Sequence, residues 1–166
     1  MPATDIPDGL DPLAVEDDLY GLDAGFVQAV AAALEQGRTD EARALAGPLH
    51  YSDAADLLER LSADDRVRLV EALRPDFEPE ILTALEEGVR DEVIAALGFA
   101  DLAAAVAQLD SDDAVWLVSW LEPSERQRVL DALPGPERAI IVQGLSYPQY
   151  SAGRMMQREL VAVPAY

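Results

Sequence analysis

The sequence predicts an all-α fold, a solenoid of about ten short stacked helices. Three observations predict it. Half of the 166 residues are hydrophobic and only 6% are aromatic, and the abundance of Ala and Leu favours helices over sheets. Leucine recurs every twelve residues, at Leu49, Leu61, Leu73, Leu85, Leu97, Leu109, Leu121, Leu133 and Leu145. Turn signals follow these leucines: Ser62, Arg74-Pro75, Gly98, Asp110-Ser111, Glu122-Pro123 and Pro134-Gly135-Pro136. One continuous helix does not account for the spacing, because twelve residues make about 3.3 turns and the leucines would drift around the helix. A helix of about nine or ten residues plus a short turn, repeated, does account for it.

The elements follow in order. Residues 1–21 contain Pro2, Pro7 and Pro12, six acids and no base, and read as a mobile acidic tail. A helical pattern runs from near Asp23 to about Gln36; Gly37 reads as its stop and Thr39 as the next N-cap. From Leu49 the twelve-residue unit takes over, with helical apolar spacing at Ala54, Leu57, Leu58 and Leu61, and again at Ala114, Leu117, Val118 and Leu121. A shift of 48 residues overlays Asp53 on Asp101, Asp64-Asp65 on Asp112-Asp113, Leu69-Val70 on Leu117-Val118, and Pro75 on Pro123. Four short helices thus form one large repeat, present twice. Helices this short are marginal alone, so each must bury its leucines against neighbours. Ser151 to Gln157 reads as one more helical turn, and Glu159 to Val163 as a strand lacking a partner. The expected organisation is a tail at 1–21, a helical array at 22–146, and at 147–166 a linker with the first segment of a further domain.

Charge and motifs exclude several functions. The net charge is −20, which repels nucleic acid and anionic membrane surfaces and attracts cations or a basic partner. There is no cysteine, hence no disulfide, thiolate metal site or cysteine nucleophile. No apolar run is long enough to span a membrane, and no signal peptide opens the chain; the chain as given is expected to be soluble. Without lysine no phosphate-binding Gly-Lys loop can form, and the single histidine, His50, rules out a His-Glu-x-x-His zinc site. His50 reads as a local structural residue at a helix start. No catalytic constellation stands out, and the chain is read as not an enzyme.

Asp64-Asp65, Asp112-Asp113, Glu125 and Glu137 fall in predicted first turns. Carboxylates there satisfy free N–H groups and complement the helix dipole, by ~0.5–1 kcal/mol each. The same helix starts, aligned along one edge, would also present a carboxylate rim suited to hydrated Mg²⁺. Trp116 and Trp120, four apart, make their helix apolar on more than one side, as in a centrally buried helix or a contact surface.

The run Leu49-His50-Tyr51-Ser52-Asp53-Ala54-Ala55-Asp56-Leu57-Leu58-Glu59 resembles the opening repeat of the N domain of the MgtE family of magnesium transporters. So do Leu145-Ser146-Tyr147-Pro148, Ser151-Ala152-Gly153-Arg154-Met155-Met156 and Glu159 to Pro164, which resemble that family's junction into paired CBS domains. The resemblance implies a right-handed, armadillo-like superhelix on the cytoplasmic face of the bacterial inner membrane, within a homodimeric Mg²⁺ channel. It implies that Mg²⁺ bridges acidic residues of the N and CBS domains and holds the pore shut, and that carboxylate repulsion separates the domains when Mg²⁺ is scarce. It implies that Asp112 is a metal-bridging aspartate and Glu80 a second acidic position; Asp113 stands beside Asp112 in the same rim. A further carboxylate of the family pattern, one turn beyond Asp112, is Trp116 here. The isolated chain is expected to hold Mg²⁺ weakly, since half of each site belongs to the CBS domain. The alternative reading is a helical-repeat interaction module without a metal role, like that of the flagellar motor switch; a carboxylate hydrolase is a remoter third.

Overall fold

The computed structural model describes residues 21–157. Among these residues there are ten α-helices, one short 3-10 helix and no strand. Helix α1 (Ala24–Glu35) begins where the Asp23 carboxylate accepts from the Phe26 N–H, 3.1 Å away. It stops at Gly37, whose φ of +70° is the left-handed value that favours glycine. Helix α2 (Thr39–Ala46) includes Thr39 as its first residue, so the cap position falls on Arg38 and not on Thr39 as expected. His50 caps α3 (Tyr51–Arg60): its Nδ1 accepts from the Ser52 N–H and pairs with the Ser52 hydroxyl at 2.8 Å. Helix α4 (Ala63–Leu73) is capped by Ser62, whose Oγ accepts from the Asp65 N–H.

The unit between Leu73 and Leu85 departs from the ruler. Pro75 and Pro79 cannot donate backbone hydrogen bonds, and the segment becomes a 3-10 helix, Arg74–Asp76, followed by the single-turn α5 (Ile81–Ala84). Its counterpart 48 residues on, α9 (Pro123–Ala132), keeps only the first proline, at its opening position, and stays helical. Between them lie α6 (Glu87–Leu97), α7 (Phe99–Gln108) and α8 (Ser111–Trp120), and α10 (Gly135–Ser146) follows.

The twelve-residue period has a local cause. Leu61, Leu85, Leu109, Leu121 and Leu133 each end a helix in extended backbone, with ψ between 145° and 155°. The chain leaves the helix at the leucine while the side chain stays in the core, all five being buried. The next residue is the N-cap of the following helix, which starts two residues after the leucine. Leu49 and Leu145, at the ends of the series, are only half-buried.

Packing is between near neighbours in sequence. Helix α2 packs on α4 and α4 on α6; α6 meets α7 and α7 meets α9. On the other side α3 packs on α5, α5 on α8 and α8 on α10. These two rows enclose one continuous core running from Val30 to Ile141. Helix α8 touches α5, α7, α9 and α10, a central place that fits the first reading of its tryptophans; Trp120 nevertheless remains 50% exposed.

Arginines tie the turns down. Arg66 donates from Nε to the Leu58 carbonyl (2.8 Å) and from Nη2 to that of Leu61 (3.0 Å). Arg126 reaches the carbonyls of Val118, Ser119 and Leu121, and Arg90 that of Leu85. Each stands five residues after a ruler leucine and satisfies the orphan carbonyls at the end of the preceding helix. The positive charge also complements that negative helix end.

Gly144 lets α10 approach α8: a Cβ there would lie 2.3 Å from Val115 Cγ2. Gly144→Ala is expected to lower stability by about 2 kcal/mol, since the two helices would have to separate. A chemical denaturation curve with shifted midpoint and unchanged slope checks this. Beyond α10, Ser151–Gln157 forms overlapping turns instead of a regular helix, with Arg154 N–H donating to the Ser151 carbonyl. The strand-like run at 159–163 and the acidic tail through residue 20 lie outside the described residues.

Candidate functional site

The start of α8 differs from its repeat counterpart at the start of α4, and the difference is chemical. In α4 the acids are compensated. Asp65, 6% exposed, accepts from the Ser62 hydroxyl at 2.7 Å and pairs with Arg68 at 3.2 Å. The 48-residue shift replaces Ser62 by Asp110, Arg66 by Ala114 and Arg68 by Trp116, while Asp64-Asp65 become Asp112-Asp113. The hydroxyl donor and both cations are gone, and another carboxylate has come in.

The electrostatics follow from this. The Asp113 carboxyl is pushed above its ordinary value of 3.8, first by burial, then by the negative charges of Asp112, Asp110 and Glu80. The helix N-terminus acts in the opposite direction and is outweighed. Glu80, at the opening of α5, reaches this field because α5 packs against α8. The fold therefore brings Glu80, Asp112 and Asp113 into one electrostatic neighbourhood and adds Asp110, which the sequence reading did not single out. The signal for Asp110 was available in the exchange of Ser62 for Asp110 between repeats.

Asp110 Oδ2 accepts from Gln157 Nε2 at 2.6 Å. Asp112 Oδ1 is buried without any hydrogen-bond partner. Beside it a groove of about 390 Å³ is lined by Asp112, Asp113, Trp116, Trp120, Tyr150 and Met155, among others. The 147–157 segment forms one of its walls, held by Arg154, whose Nη1 donates to the carbonyls of Leu145 and Tyr147. Tyr150 and Met155 are strongly exposed, at 88% and 71%. A hard cation suits an all-carboxylate donor set, and the orphaned Asp112 oxygen is the kind of acceptor it would satisfy. Among the described residues, however, no three acidic or histidine side chains converge closely enough to enclose an ion. The donor chemistry fits a divalent cation; the number of ligands fits only part of a site. Asp64-Asp65, Glu125 and Glu137 lie in first turns as expected.

The raised Asp113 value has a consequence for stability. Its ionised form is disfavoured in the folded state, so the fold bears a cost once both folded and unfolded states are ionised. That cost fades as pH falls through the raised value and is gone below 3.8. Asp113→Asn is therefore expected to be more stable than the parent at pH 7 and equal to it near pH 3. Denaturation curves at the two pH values read this directly.

Comparison with known proteins agrees with this architecture. A solved structure described as the soluble part of a magnesium transporter superimposes with a TM-score of 0.71 at 24% identity, covering 82% of this chain and 54% of that one. The chain thus spans about half the length of that structure, and the likeness establishes the fold. No curated protein matches the chain. Among the described residues no helix is long and apolar enough to cross a membrane. The family described as the MgtE intracellular N domain matches residues 49–150, more than half of the sequence; the chain belongs to that family.

Proposed function

We propose that this chain is the Mg²⁺-responsive regulatory domain of a magnesium transporter, facing the cytoplasm and acting through the carboxylates at the start of α8. The observation that carries the proposal is the loss of compensation between repeats: Asp110, Asp112, Asp113 and Glu80 share one field without the hydroxyl and the arginines that serve α4. Asp112, Asp113 and Glu80 would each contribute oxygens, not all three to one ion, with the rest of the coordination supplied by carboxylates of an adjoining CBS domain. When bound, Mg²⁺ would supply a compact double charge that prefers oxygen ligands and retains part of its water. Without it, two facing acidic surfaces repel each other, and the cost rises as they approach. The equilibrium between docked and separated domains is thereby linked to Mg²⁺ concentration, and the docked arrangement would close the pore of a homodimeric transporter. No catalytic role is proposed.

The test is a two-dimensional NMR titration of this chain with MgCl₂ against NaCl at equal ionic strength. Mg²⁺-specific shifts confined to Asp110, Asp112, Asp113 and Glu80 are expected, at millimolar or weaker affinity. In the complete transporter, Asp112→Ala is expected to raise the Mg²⁺ concentration needed for closure. Identical diffuse shifts in both salts, together with unchanged gating in Asp112→Ala, would falsify the assignment.

A further inference from the structure

A second cleft, of about 430 Å³, opens between α6, α7, α8 and α9. Its floor is apolar, made by Ile94, Leu102 and Leu121, and two exposed aromatic rings stand in its walls, Phe99 at 36% and Trp120 at 50%. Four exposed carboxylates line it: Glu87, Asp91, Glu122 and Glu125. Two arginines line the same cleft, yet neither forms an ion pair with these acids among the described residues. Arg90 is turned onto the indoles, 4.7 Å from the centre of Trp116 and 5.6 Å from that of Trp120, and Arg128 lies 4.4 Å over Phe99. The cations thus face the rings, and the four carboxylates have no ion-pair partner among the described residues. Elsewhere on this surface arginines do pair with acids, as Arg43 with Asp76 and Arg74 with Asp101.

From this we infer that the cleft is a docking site for a basic amphipathic helix of a partner, which inserts one or two apolar side chains between Phe99 and Trp120 and sets Lys or Arg against the four acids. The volume suits a few side chains, and the combination of apolar floor and charged rim is that of helix-in-groove recognition. Residues 1–20 of the chain are not the occupant: they carry acids and no base, so like charges would oppose their entry. Nucleic acid and anionic lipid are repelled for the same reason. None of its four acids belongs to the start of α8, although Trp120 lines both grooves.

The experiment uses the whole 166-residue chain without Mg²⁺. The probe is a synthetic Lys/Leu peptide of roughly four helical turns with its leucines on one face, and the control is a scrambled peptide of the same composition. Calorimetry is expected to show the patterned peptide binding at least about tenfold more tightly than the scrambled one. Phe99→Ala, and separately Glu122→Gln with Glu125→Gln, are each expected to weaken it by about tenfold or more. Glu71→Gln, an exposed acid on α4 outside the cleft, controls for charge and is expected to leave binding unchanged. Equal binding of both peptides, or equal effects of Glu71→Gln and of the Glu122 and Glu125 changes, overturns the inference and reduces the attraction to net charge.

Discussion

Leu69→Ala is expected to remove about 4 kcal/mol of stability. Leu69 is completely buried on α4, which packs against α1, α2, α3 and α6. The truncation removes the transfer free energy of the lost methyl groups and leaves a cavity that four surrounding helices cannot all close. Leu117, its counterpart 48 residues on, is equally buried but lies behind the cleft between α6 and α9. There the walls are open to solvent on one side and can relax, so Leu117→Ala is expected to cost nearer 2 kcal/mol, the lower end for such changes. Chemical denaturation of the two variants reads the order directly. Equal losses would mean that the cleft is as closely packed as the α4 surroundings.

Arg66→Met is expected to cost about 3 kcal/mol. Arg66 is 7% exposed, and its side chain holds the carbonyls of Leu58 and Leu61. Methionine fills much of the volume but donates nothing, and those two carbonyls are left at a buried turn without a partner; each unsatisfied group costs roughly 1–3 kcal/mol. The ion pair of Arg66 with Glu92 contributes little, because the Glu92 side chain is 50% exposed and its charge is screened by water. Glu92→Gln is therefore expected to change stability by less than about 0.5 kcal/mol. If Glu92→Gln were as damaging as Arg66→Met, the ion pair and not the carbonyl bonds would be holding the α3–α4 turn.

Glu80 stays near the carboxylates at the start of α8 only because α5 and α8 stay packed. A field built from like charges opposes that packing, and the core must outweigh it. Asp113, raised by burial and by three neighbouring carboxylates, marks where the opposition is concentrated. A divalent cation would relieve it, as Asn at position 113 relieves part of it.

Periodicity by itself determined the helical class, the unit length and the position of most helix ends. A leucine that must both close a helix and reach the core recurs at a fixed interval, and local backbone preferences at Asp23, Gly37, Ser62 and Gly98 mark the boundaries without reference to distant contacts. The same ruler contained the arginines at 66, 90 and 126, but their purpose was not legible, because a carbonyl's need for a partner appears only once two helix ends meet. The failure of the unit at Pro75 and Pro79 was visible as two prolines and not as a lost helix. The acids could be counted in the sequence, but not sorted into compensated and uncompensated ones. Tertiary structure decided that: packing α5 against α8 brought Glu80 from one unit to Asp110, Asp112 and Asp113 of another, and Coulomb interaction depends on separation in space, which position along the chain does not record.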